Sequence, residues 1–151
     1  MDEQEFRSTY HAVNGLRCVF EKSILSRRSQ CSRCTRFHLA DREGAACSSP
    51  AAQNRCLDLL IRLREKAIFA LRITHIEGEL PHAKEIRVQT GGLLGLQRAL
   101  TPDTTPDTIE DIDALISAVL LRHGDLESLP YPEIMQAVVR FEGRPRRKRR
   151  D

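Results

Sequence analysis

The chain has 151 residues, 40% of them hydrophobic and 30% charged, with a net charge of +3. That length suits one domain with its own core, and that composition excludes a wholly disordered chain. No apolar run reaches the roughly 18–20 residues of a membrane-spanning helix, and the acidic start from Met1 to Glu5 lacks the plan of a secretory signal, so a cytoplasmic, reducing location is expected.

Aromatic residues make up 5% and tryptophan is absent. The core must then be aliphatic, which suits packed helices. Charge is segregated: basic through residue 72, acidic from 73 to 143, basic again from 144 to 151. Such asymmetry serves charged partners or attraction between the two halves.

Residues 5–28 are expected to form one long amphipathic helix. Phe6, Tyr10, Val13, Leu16, Phe20 and Ile24 recur every three or four positions, which makes a single apolar stripe. Gly15 weakens the pattern, and the polar run from Ser26 to Gln30 ends it. Cys18 lies off the stripe, where a free thiol packs as a small hydrophobe; the alternative is a fifth ligand or a resolving thiol.

Residues 29–49 form a polar, cysteine-rich loop, with a helical turn expected around Phe37–Arg42. A loop this long needs a staple inside a small domain. Ser49 then caps a second helix over 49–72, with Pro50 at its first position. Cys56, Leu60, Leu63, Ala67 and Ala70 share its inner face, and Cys47 sits just before its N-terminus, where the helix dipole favours a thiolate.

Alternation at 71–76 and 85–90 fits a small β-hairpin around residues 71–90, or irregular coil with helical turns. The run Gly91-Gly92-Leu93-Leu94-Gly95 lacks the Gly-Lys-Ser/Thr ending of a phosphate loop. It is expected to lead into a short helix, Leu93–Leu100, with its glycines allowing close packing. Thr105 and Pro106 open a helix that runs to about His123, with Gly124 as its stop. The acidic residues from Asp107 to Asp113 match its dipole on a solvated face. A last helix follows Pro130 and runs to about Phe141, before Gly143.

The expected fold is therefore mainly α: a single helical domain of about five helices over residues 1–143. A cysteine-rich loop joins the first two helices. The tail from 144 to 151 carries Arg144, Arg146, Arg147, Lys148, Arg149 and Arg150 with no apolar anchor, and is expected to be disordered and able to contact nucleic acid, an acidic protein partner or anionic lipid.

The chemistry concentrates in Cys31, Cys34, Cys47 and Cys56. Four thiols within one short span of a reducing-compartment protein point to a metal before a disulfide. Zinc sites of four cysteines usually come as two Cys-x-x-Cys pairs, and only Cys31 and Cys34 form one here. A [4Fe–4S] cluster binds each thiolate at a separate iron and accepts more scattered ligands. The expected function is thus a small iron–sulfur protein for electron transfer, redox sensing or support of a larger redox complex, with a protein partner. Arg33, Arg36 and Arg55 would offset the cluster's charge, and His11 or His38 could replace a cysteine ligand. The alternative is a zinc-stabilised module that binds protein or nucleic acid. Cys31-Ser-Arg-Cys34 also has the spacing of dithiol oxidoreductases, but lacks their βαβ setting, and no catalytic residue is expected.

Overall fold

Helix α1 (Glu3–Val13) opens the chain at a capping box, in a computed structural model that describes residues 2–73, 80–103 and 106–142. The Asp2 carboxylate accepts the Glu5 N–H at 2.8 Å, and the Glu5 carboxylate takes the Asp2 N–H in return. Two donors that a helix start leaves orphaned are thereby satisfied. The helix does not continue to residue 28. It stops at Asn14, and α2 (Glu21–Leu25) is a separate short helix.

The break has a local cause. Asn14 Nδ2 donates to the Tyr10 hydroxyl at 2.8 Å and to the Ala45 carbonyl at 3.1 Å. Gly15, a poor helix former, follows it. The Cys18 N–H then donates to the Ala45 carbonyl at 2.9 Å, and the Cys47 N–H to the Leu16 carbonyl at 2.8 Å. Pairing with a strand has replaced helical hydrogen bonds. The single stripe is therefore split: Phe20 and Ile24 are buried, whereas Val13 is 60% exposed.

The partner is a hairpin of β1 (Cys34–Leu39) and β2 (Arg42–Cys47), in antiparallel register from Cys34–Cys47 to Leu39–Arg42. It stands where a cysteine-rich loop with a helical turn at 37–42 was expected. Its two-residue turn, Ala40–Asp41, holds Ala40 at φ 56° without the glycine or asparagine that usually marks such a turn. An Arg17–Ala46 bridge adds residues 16–18 to the free edge of β2. No hairpin forms at 82–90, which belongs to α4 (His82–Leu100); residues 74–79 of the expected hairpin lie outside the described residues.

Helix α3 (Pro50–Ala70) follows the sequence closely. Ser49 Oγ accepts the Ala52 N–H at 3.2 Å and Pro50 takes the first position. Leu59, Leu60, Leu63 and Ala67 form its buried face. The glycine run lies inside α4, a longer helix than the expected Leu93–Leu100. Gly91 and Gly95, one turn apart, let α4 approach α6 (Tyr131–Arg140) backbone to backbone. A Cβ on Gly91 would lie 2.7 Å from Val138 Cα, and one on Gly95 2.8 Å from Ile134 Cα.

Helix α5 (Ile112–His123) starts at an Asp111 cap, later than expected. The chain before it pairs with the segment after α2. The Ile109 N–H donates to the Arg28 carbonyl, the Gln30 N–H to the Ile109 carbonyl and the Ile112 N–H to the Gln30 carbonyl, all at 2.9 Å. These bonds hold residues 109–110 out of the helix; Thr105, its expected cap, lies outside the described residues. Gly124, at φ 91°, ends the helix as expected.

The fold is mainly α, with six helices and one hairpin among the described residues. Its core is aliphatic, built from Leu59, Leu60, Leu63, Leu93, Leu96, Ile112, Ile116 and Ile134. No helix among the described residues is long and apolar enough to cross a membrane. The basic tail, 144–151, lies outside the described residues.

The glycine contact makes a sharp prediction. Alanine is the better helix former by about 1 kcal/mol, yet Gly95→Ala is expected to destabilise the fold by about 1–3 kcal/mol, because the new methyl meets backbone atoms. Urea denaturation of the two proteins checks this, and a stabilised variant would show that α4 and α6 can separate freely.

Candidate metal centre

Four segments carry the five cysteines to one place. Cys18 comes from the strand-like residues 16–18, Cys31 from the loop after α2, Cys34 and Cys47 from the paired ends of the hairpin, and Cys56 from α3. All five line one narrow space of about 20 Å³, which Val19, Phe20, Arg33, Ala52, Gln53, Ile112 and Asp113 complete. None is in a disulfide.

The Cys31–Cys34 turn is closed by the Cys34 N–H on the Cys31 carbonyl at 3.1 Å. Two carboxylates of the α5 start hold it. Asp111 Oδ1 accepts the Ser32 N–H at 2.9 Å and the Ser32 hydroxyl at 3.1 Å while also capping α5 through the Asp113 N–H at 3.1 Å. Asp113 accepts Arg55 at 2.8 Å and Arg33 at 3.4 Å. On the other side the Arg33 carbonyl takes the Ser48 N–H at 2.8 Å. The acidic cluster, expected on a solvated face, is thus the clamp of the cysteine turn. Arg33 and Arg55, expected to face an anionic cluster, share the Asp113 carboxylate.

Cys34 and Cys47 are directly opposite in the ladder. Neither donates its N–H to the other strand, since one goes to Cys31 and the other to Leu16. They form the close, non-hydrogen-bonded type of pair, whose side chains share one face of the hairpin. Cys56 sits two turns into α3, as its place on the apolar face predicted, and packs against the core.

The sulfurs differ in environment. The Cys18 thiol bonds to Cys34 and, with the Arg36 charge, holds the Cys34 pKa down at about 7 against its burial. The same contact, with burial, pushes Cys18 upward, so the proton stays on Cys18. Burial pushes Cys56 up to about 12. Burial also raises Cys31, against the backbone N–H groups of Arg33 and Asp113 that face its sulfur. Similar N–H groups, from Phe20 and Ala46, face the sulfurs of Cys18 and Cys34. Amides aimed at sulfur stabilise thiolates and tune iron–sulfur centres.

The spacing of cysteines in the chain pointed to Cys31, Cys34, Cys47 and Cys56, and the structure brings these four together. It adds Cys18, which looked like a core thiol as long as residues 5–28 were read as one helix. Gly15 was the signal against that helix. His38 is on β1, where it faces Glu43 at 3.8 Å, and His11 is on α1 against Tyr10; neither lines the cysteine pocket. Among the described residues, no three His, Cys, Asp or Glu side chains form a group that could hold a single metal ion. Comparison of the chain with protein-family models, with curated proteins and with solved structures finds no match.

The Asp111 clamp has a pH signature. Burial raises its pKa, but the hydrogen bonds from Ser32 and from the α5 N–H groups outweigh this and hold it below 3.8. A depressed folded-state pKa contributes stability above the unfolded value, lost as pH falls through the folded one. Asp111→Ala is expected to cost about 1–2 kcal/mol at neutral pH, the usual loss for an N-cap, and the difference from wild type should shrink below about pH 4. Urea midpoints across pH measure it. A cost that persists unchanged in acid would show that the carboxylate charge is not what holds the turn.

Proposed function

We propose that the chain holds a [4Fe–4S] cluster at the cysteine pocket and acts in one-electron transfer or redox sensing with a protein partner, in a reducing compartment. The observation that carries this is the convergence of every cysteine in the sequence, from four separate segments, on one mostly apolar space. Cysteines placed for packing alone have no reason to gather in this way.

The local chemistry favours a cluster over zinc. Four zinc-bound sulfurs stand about 2.3 Å from one centre. Among the described residues no three His, Cys, Asp or Glu side chains form such a single-ion group, whereas a [4Fe–4S] cluster takes each thiolate at a separate iron. The spacing-based set, Cys31, Cys34, Cys47 and Cys56, supplies four such thiolates. The unloaded space is small, so loading moves its wall. Cys31, Cys34 and Cys47 sit on a turn and on strand ends, where side chains can swing outward, while Cys56 stays on the helix. Once bound, the cluster supplies one-electron chemistry, and the surrounding residues exclude water and set its potential through burial and amide hydrogen bonds.

Anaerobic incubation with ferrous iron and sulfide should give a brown protein with about four irons and four sulfides per chain, whose broad visible absorption bleaches on reduction. Cys56→Ser should bind little iron under the same conditions. A colourless wild type that takes up one zinc per chain and no iron would overturn the proposal in favour of a structural zinc site.

A further inference from the structure

One groove gathers three arginines that, among the described residues, pair with no carboxylate. Its volume is about 440 Å³, and Arg28, Arg98 and Arg140 line it together with Asp107, Phe141 and Glu142. The three arginines come from separate places: the segment after α2, the last turn of α4 and the last residue of α6.

Elsewhere the fold pairs its arginines. Arg17, Arg27, Arg42, Arg55, Arg62 and Arg64 each meet a carboxylate. At the groove, Arg98 and Arg140 are exposed, and neither side chain makes a hydrogen bond or ion pair among the described residues. Arg28 is tethered without being neutralised. Its Nε donates to the backbone carbonyl of Asp107 at 3.1 Å, and its guanidinium lies 4.9 Å from the centre of the Phe141 ring. A last-turn position suits a cation because it meets the helix dipole. That accounts for Arg98 and Arg140 singly, but neither for Arg28 nor for the meeting of all three at one groove.

The sequence continues the charge. Two residues after Glu142, Arg144 opens the run Arg144-Pro145-Arg146-Arg147-Lys148-Arg149-Arg150. Arg150 is eight residues past Glu142, so it can lie no farther than about 30 Å from the groove's edge. The groove and residues 144–151 together hold nine basic residues against three acidic ones, Asp107, Glu142 and Asp151. All the basic residues but Lys148 are arginines, whose planar fork matches phosphate oxygens.

Charge this dense suits a polyanion. The site is concave, and residues 144–151 carry no large apolar side chain to insert into a membrane. Phe141 is 9% exposed and Arg28 lies over its ring, so the groove offers no open aromatic face on which a base could stack.

We propose that the groove and residues 144–151 form one surface that binds the phosphate backbone of a nucleic acid without reading its bases. None of the groove's residues lines the cysteine pocket, so this binding stands or falls independently of what that pocket holds.

Fluorescence anisotropy of the full chain with short labelled DNA duplexes, single-stranded DNA and RNA tests this. All three should bind, with affinity that changes little with sequence and falls steeply between about 50 and 200 mM salt. Arg98→Gln/Arg140→Gln should weaken duplex binding about tenfold and reduce the salt slope by about 2. Deleting residues 144–151 should weaken it at least as much. In wild type, phenylglyoxal labelling read by peptide mass mapping should show Arg98 and Arg140 protected by the duplex, an arm that needs no substitution. No nucleic-acid binding, a strong sequence preference, or tighter binding to phosphatidylserine vesicles or polyglutamate overturns the proposal. So does a deletion that leaves binding unchanged. A double variant that binds as wild type does, or labelling of Arg98 and Arg140 that the duplex fails to reduce, removes the groove from the surface and overturns it too.

Discussion

One carboxylate carries much of the arrangement. Asp111 ends the α5 backbone and receives the Cys31–Cys34 turn with the same oxygen. Around it, backbone bonds at Arg28, Gln30, Ile109 and Ile112 weld the loop after α2 to the loop before α5. These are local, directional bonds, and they join parts of the chain about eighty residues apart. Without them Cys31 and Cys34 would hang on a polar loop with only a hairpin to position them. With them, the turn faces α3, where Cys56 is already fixed by the hydrophobic stripe of that helix.

A second buried carboxylate organises the other side. Glu21 opens α2, accepts the Ala45 N–H at 2.8 Å, pairs with Arg17 and receives the Tyr10 hydroxyl. It therefore joins α1, α2 and β2 at the point where the chain leaves helix for strand. Burial, with the neighbouring Glu21, pushes Tyr10 up to about 12, so its hydroxyl remains a donor at any ordinary pH. The strand-like residues between α1 and α2 are held in place by this network, and Cys18 is held with them. Both carboxylates act on backbone, and both acts deliver cysteines to one space.

The long elements were legible in the sequence, because their apolar periodicity and caps agree. Ser49 and Pro50 at the start of α3, Gly124 at the end of α5 and Pro130 before α6 mark boundaries by local chemistry alone. The hairpin was not legible. Its strands carry little alternation, and its turn places Ala40 in a conformation that sequence rules reserve for glycine or asparagine. The break after α1 was hidden because Leu16 and Phe20 continue a helical spacing that tertiary pairing overrides. The late start of α5 likewise depends on a partner segment far away in the chain, which no local pattern reports. Four of the pocket's cysteines were found from spacing; Cys18 was read first as a core thiol, because its place in the pocket depends on that hidden break.

The resulting site is a small, mostly apolar space whose walls come from turn, strands and helix. Under the proposed cluster reading, the occupant of this space decides the function. Native mass spectrometry of the intact chain, purified without oxygen, reads that occupant directly. The account predicts a mass above that of the polypeptide by about four irons and four sulfides, whereas an increment of a single zinc, or none after iron and sulfide loading, would contradict it.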